Sequence, residues 1–145
     1  MHENVLNKLL KLAPSNTSME LPPKVFLDMQ GEFVEFVKGE KLVARFPNLE
    51  RYMNPFGFMQ GGIIVAAIDN TISPLSYVSA PPSITKEINT TYKRPIKACD
   101  EFIQVIATIV KKSATHIILN AEVLNSKGKV AASAVANCVF IKGNR

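Results

Sequence analysis

The chain has 145 residues, 47% of them hydrophobic and 20% charged, with a net charge of +5. That length suits one domain, and that apolar fraction supports a packed core and excludes a disordered chain. The charge is uneven: residues 1–80 hold seven Lys/Arg against eight Asp/Glu, whereas residues 81–145 hold ten against four.

In chain order, Val5, Leu6, Leu9, Leu10 and Leu12 fit a short amphipathic helix. Glu3, Lys8 and Lys11 break any signal-peptide core. No stretch approaches the ~20 apolar residues of a membrane span, so a cytoplasmic protein with no membrane partner is expected. Residues 13–23 carry Pro14, Pro22 and Pro23 and read as a loop. Residues 1–23 are thus an N-terminal helix and loop on a single domain spanning 1–145. Residues 32–37 and 41–46 form a hairpin through Lys38-Gly39-Glu40, ended by Pro47.

A loop over 48–60 leads into a helix expected from Gly61 to Tyr77. Pro74 should kink or shorten it, and Pro81 and Pro82 forbid its continuation. Beyond residue 84 the period changes. Residues 84–92, 102–111, 115–124 and 130–141 are four long strands rich in Val, Ile, Thr and Phe. In the last of them Ala132, Ala134, Ala136 and Cys138 share one face, so something thick approaches it closely. The pattern predicts an α+β fold, a long central helix wrapped by a curved antiparallel sheet of about six strands. Both cysteines, Cys99 and Cys138, read as reduced structural thiols.

The chemistry concentrates at residues 54–71. There is no Gly-x-Ser-x-Gly, P-loop or dinucleotide fingerprint. His2 is terminal and His116 alternates with Ile117 in a strand, so neither a catalytic triad nor a histidine-based metal site is expected. The basic second half attracts a phosphorylated small molecule or a polyanion. Its cations are barely interleaved with aromatics and match no nucleic-acid motif, so no nucleic-acid partner is expected.

What remains is Asp69, a carboxylate interrupting an apolar helix, and the amides at Gly61-Gly62. Asp69 is either a buried acid tied to Thr71, Ser73 or Ser76, or a functional group. The glycines serve either a close helix–strand contact or the binding of negative charge at a helix start. Gln60 and Asn54 are cap and loop residues or parts of the same site. Gly61 and Asp69 lie roughly 12 Å apart along the helix and about 80° around it. If both serve one reaction, they come from different copies of a symmetric dimer.

The stretch Asn54-x-x-Gly57-x-x-Gln60-Gly61-Gly62, with Asp69 nine residues after Gln60, resembles the hotdog-fold acyl-CoA thioesterases, in particular the PaaI-like group. Their motif has His where this chain has Gln60. Residues 88–95, ending in Tyr92-Lys93-Arg94-Pro95, and the final three-strand meander extend the likeness over residues 30–142. The resemblance implies a homodimer or a homotetramer built as a dimer of dimers, hydrolysing an acyl-CoA thioester without a separate cofactor or metal. It assigns the oxyanion to the Gly61 amide and orientation of the carbonyl or water to Asn54. It makes the partner's Asp69 nucleophile or general base, with Thr85 positioning the water or the acid. Gln60 still donates an N–H but does not titrate. Gly62, Phe56, Phe58 and Met59 are expected at the substrate, and Lys86, Lys93, Arg94 and Lys97 at the CoA phosphates. A hotdog protein that binds acyl-CoA without turnover is the alternative; a dehydratase lacks its histidine here.

Overall fold

The computed structural model describes residues 2–13 and 19–141. Residues 14–18 of the expected loop lie outside the described residues. Helix α1 (His2–Leu12) is followed by α2 (Lys24–Asp28), β1 (Glu32–Val37) and β2 (Lys41–Pro47). A 3-10 turn (Glu50–Tyr52) precedes helix α3 (Gly61–Ser79). Then come β3 (Ser83–Tyr92), β4 (Phe102–Lys112), β5 (His116–Leu124) and β6 (Val130–Phe140). The six strands form one antiparallel sheet in the order β1-β2-β4-β5-β6-β3. β3 is therefore an edge strand, although it follows α3 in the chain.

The strands alternate as a half-buried sheet must. Ile103, Val105 and Ala107 of β4 and Ile117, Leu119, Ala121 and Val123 of β5 all point inward. They meet Ile64, Ala67, Ile68, Ile72 and Leu75 of α3, which touches β2, β4, β5, β6 and β3 in turn. Ala132, Ala134, Ala136 and Cys138 are buried beneath this helix, as their small size requires. Among the described residues no helix is long and apolar enough to cross a membrane.

The expected end of α3, at about Tyr77, needs a small correction. The helix runs five residues past Pro74, to Ser79 rather than Tyr77. Pro74 removes the N–H that would bond the Asn70 carbonyl. It is itself buried beside Ile72, Leu75 and Ser76, and packing of that face outweighs one lost bond. The stop is set by Pro81: the preceding residue, Ala80, is extended (φ −154°, ψ 169°), as a residue before proline prefers.

Helix α2 was not expected. Five residues are too few to display a helical period. Its Phe26 stacks on Phe33 at 4.2 Å and meets Phe46 edge-on at 5.3 Å. Gly31 passes so close that a Cβ there would lie 2.8 Å from both Phe26 and Phe46. That corner accepts no side chain.

Candidate active site

Two polar clusters lie along α3, one at its middle and one at its start, and each is completed by a different end of β3. The first centres on Asp69, half-buried between the fully buried Ile68 and Ile72. Ser73, one helical turn on, donates its hydroxyl to Asp69 Oδ1 at 3.1 Å. Thr85, near the start of β3, donates to the same oxygen at 2.9 Å. Of the three helix hydroxyls that the sequence offers, only Ser73 bonds Asp69. Thr71 turns back to the Ala67 carbonyl, and Ser76 pairs with Ser83. Asp69 Oδ2 accepts no hydrogen bond among the described residues.

Behind Thr85 lies Cys138, with Sγ 3.9 Å from Thr85 Oγ1. Thr85 spends its one hydroxyl proton on Asp69, so the thiol is the donor in this weak contact. Burial pushes the Cys138 thiol up from its ordinary range; the Thr85 hydroxyl, a donor available to a thiolate, opposes this, and the Asp69 charge adds to the rise. Cys138 is therefore a protonated filler beneath the site rather than a nucleophile.

The second cluster is the helix start. Gln60 caps α3 through its carbonyl, which accepts from the Ile63 and Ile64 amides. Its own N–H goes to the Tyr52 carbonyl at 2.8 Å. The Gln60 and Gly62 side-chain positions are exposed. The first amides of a helix have no acceptor within it, and those of Gly61 and Gly62 find none elsewhere among the described residues. Gly61 forms the floor of a cavity of ≈ 380 Å³ walled by Asn54, Phe58, Met59, Tyr92 and the Lys93–Ile96 segment.

Gly61 is glycine for a reason that the motif alone does not reveal. Tyr92, at the far end of β3, donates its phenol to the Gly61 carbonyl at 2.9 Å. A Cβ on Gly61 would sit 3.0 Å from the Tyr92 hydroxyl oxygen. Gly62 has open space where its side chain would be. Asn54 shapes the approach: its Oδ1 accepts the Phe56 and Phe58 amides at 2.9 and 3.1 Å, closing a turn in which Gly57 has φ 85°. That leaves the Nδ2 group of Asn54, which lines the cavity, without a partner among the described residues.

The structure thus gathers Asn54, Phe58, Met59, Gly61, Lys93 and Arg94 around one cavity. Phe56 stands at the tip of the turn, 84% exposed and outside that cavity. Asp69 and Thr85 belong to the other cluster. Tyr92 was given no role in the site by sequence reasoning, and Cys138 was read as a reduced structural thiol, in keeping with its burial. Tyr92 was visible only as part of the Tyr-x-x-Pro element, and nothing in the sequence couples a residue of the last strand to Asp69.

No protein-family model matches the chain. It is 26% identical over 119 residues, 81% of each chain, to a protein of Saccharolobus solfataricus provisionally named an esterase. Among solved structures it is similar to the E. coli PaaI protein of the phenylacetic acid degradation operon. The TM-score is 0.78 at 14% identity, over 83% of this chain and 86% of that one. A mutant thioesterase from Pseudomonas aeruginosa aligns with a TM-score of 0.75 at 20% identity, over 92% and 91%. A Streptococcus mutans protein bound to acetyl-CoA aligns at 0.73 and 19%, over 91% and 99%. The fold is the hotdog fold of PaaI and these thioesterases, as the motif implied.

Proposed function

We propose that the protein hydrolyses an acyl-CoA thioester at sites shared between two copies of the chain, with Asp69 of one copy facing the Gly61 amide of the other. The observation that carries this reading is the unspent Oδ2 of Asp69: two hydroxyls anchor Oδ1, and the second oxygen has no partner among the described residues. A purely structural acid in an apolar helix would be expected to satisfy both oxygens. The thioesterase and esterase names of similar proteins, and the acetyl-CoA bound by one of them, support the same substrate class.

The shared site follows from the placement of the two clusters. Thr85 marks the Asp69 end of β3 and Tyr92 the Gly61 end. They are seven residues apart, roughly 23 Å of strand. β3 is an edge, with Ile84 and Tyr92 at 62% and 51% exposure. Antiparallel pairing of two such edges about a twofold axis satisfies their free backbone groups. An axis crossing between Ile88 and Asn89 sets Thr85 of each copy opposite Tyr92 of the other. Both half-sites are then completed at once. Two such dimers back to back make a tetramer, the other assembly consistent with the fold.

In the reaction the thioester oxygen sits on the Gly61 N–H, where the helix dipole and a pre-aimed donor favour the negative charge of the tetrahedral intermediate. Asp69 takes a proton from water as hydroxide adds to the carbonyl carbon, or adds to that carbon itself to give an anhydride that water opens. Collapse of the intermediate breaks the C–S bond and releases CoA as the thiolate, which takes up a proton. Asn54 and Gln60 offer side-chain N–H groups near the carbonyl, Thr85 holds the acid, and Phe58 and Met59 line the approach. Thiol release from a panel of aryl and medium-chain acyl-CoAs tests the reading. It fails if no thioester is cleaved.

One feature favours a second reading, an acyl-CoA-binding protein without turnover: Gln60 does not titrate and its side chain makes no hydrogen bond among the described residues. Calorimetric binding of acyl-CoA with no thiol released would select it.

A further inference from the structure

Phe56 is the most exposed large hydrophobic side chain among the described residues, at 84%. It stands at the tip of turn 54–58, which hydrogen bonds hold closed. The Asn54 amide donates to the Phe58 carbonyl at 2.6 Å and the Gly57 amide to the Asn54 carbonyl at 3.0 Å, besides the two amides on Asn54 Oδ1. Phe58 bridges to Lys97, and the Met59 amide donates to the Ile96 carbonyl at 2.9 Å. The turn is thereby fastened beside the segment that follows Tyr92, with the ring held out into solvent.

At the opposite end of β3 lies a cavity of ≈ 370 Å³, between Tyr77 near the end of α3 and Pro82, Ser83 and Ile84 at the start of the strand. Met19, Pro23 and Ile141 complete its apolar walls, and Glu20 supplies the one charge. Ile84, 62% exposed, stands at its mouth beside Thr85. An aromatic ring seated in an apolar pocket is a common anchor of protein interfaces. Within one chain the ring and the cavity lie at opposite ends of the same edge strand, as Gly61 and Asp69 do.

The edge pairing that completes both half-sites also brings these features together. A register that sets Thr85 opposite Tyr92 of the other copy sets Ile84 opposite Lys93, Ser83 opposite Arg94 and Pro82 opposite Pro95. The cavity of one copy then abuts the segment to which the other copy's Phe56 turn is fastened. The charges agree in sign, Glu20 on the cavity wall against Lys93 and Arg94. We propose that Phe56 of each copy seats in this cavity of the other, as the anchor of the dimer. This anchor presupposes the shared-site reading. Because Asn54 holds the Phe56 amide and lines the Gly61 cavity, the ring ties the Gly61 half of a site to the Asp69 half of that same site.

Cross-linking tests the placement in a Cys99→Ser background, which removes the exposed native thiol. A short bismaleimide should join most chains of the Phe56→Cys/Ile84→Cys variant into covalent dimers on a denaturing gel. A Phe56→Cys/Lys38→Cys control should stay largely uncoupled, because Lys38 lies on the β1–β2 turn at the other edge of the sheet. No link between positions 56 and 84, or equal linking in the control, overturns the anchor.

Phe56→Ser tests the strength. The dimer dissociation constant from sedimentation should rise at least about tenfold, with the chain still folded, since so exposed a ring adds little to the isolated copy. An unchanged constant overturns the anchor. Thiol release per chain in this variant should climb as protein concentration is raised through that constant, because a site exists only in the dimer. A loss that is the same at every concentration makes Phe56 a substrate contact and refutes the anchor. Hydrolysis by a dimer indifferent to Phe56 refutes the anchor and leaves the hydrolase. Cross-linking and weakened dimers without hydrolysis by any form support the anchor and refute the hydrolase.

Discussion

The two ends of β3 meet the same helix in opposite ways. At the Thr85 end, side chains do the work: a threonine and a serine hydroxyl converge on one oxygen of Asp69, over a buried thiol. At the Tyr92 end the chemistry is backbone: free amides at Gly61 and Gly62, with a phenol on the adjacent carbonyl. The first end offers a base and no donor for an oxyanion. The second offers donors and no base. On the proposed reading each is half of an acyl-transfer site, and an edge strand with one cluster at each end lets a single twofold axis join them.

Removing the base should have the largest effect. Asp69→Asn keeps the shape and both hydroxyl partners but removes the charge, and kcat should fall by roughly 10³-fold or more with the oligomer intact by size-exclusion chromatography. Retained activity would reduce Asp69 to a structural acid. Gly61→Val should fall by a comparable factor, because its side chain enters the cavity that Gly61 lines and obstructs the approach of a carbonyl to the donor amide.

Mixing those two inactive proteins under conditions of subunit exchange sharpens the comparison. Each mixed dimer carries one site with both halves intact, so about a quarter of normal activity should return. No recovery, with exchange verified by mass, would place both halves in one copy.

Next is Tyr92→Phe. It removes the bond to the Gly61 carbonyl while keeping the ring, and should lower kcat/KM by roughly three- to tenfold. A loss of Asp69→Asn size would mean that the phenol touches substrate.

The smallest effect concerns the buried end. The thiolate is the reactive form, and a raised pKa means less of it at any given pH. Iodoacetamide at pH 8 should therefore modify exposed Cys99 and spare Cys138 in the folded protein, while both react once the chain is unfolded. Equal reactivity in the folded state would show the Thr85 end to be open beneath Asp69.

Much of this arrangement is legible before any coordinates. The four long strands after residue 84 announce themselves through β-branched runs of ten or so residues, and the observed boundaries fall within a residue or so of the expected ones. Asp69 stands out as a lone charge among apolar residues. Its contact with Thr85 was anticipated, but only through the family likeness. Helix α2 was silent because one turn and a half has no period. The end of α3, expected at about Tyr77, lies two residues on at Ser79, because the helix continues until Ala80 turns extended ahead of Pro81.

By itself the sequence determined the long elements, their order, the apolar face of each and the residue types at the site. These depend on periodicities of 2 and 3.6 and on proline and glycine chemistry, which act over a few neighbours. It also determined that Gly61 and Asp69 are too far apart on one helix to act together. Only the tertiary structure decided that β3 lies at an edge, that the Tyr92 hydroxyl bonds the Gly61 carbonyl, that Asp69 has one committed oxygen and one without a partner among the described residues, and that Lys97 and Lys127 share a cavity. Those pairings join residues 16 to 31 positions apart. Nothing in a local pattern selects among the many partners available at that distance; the packing of one helix against one sheet does.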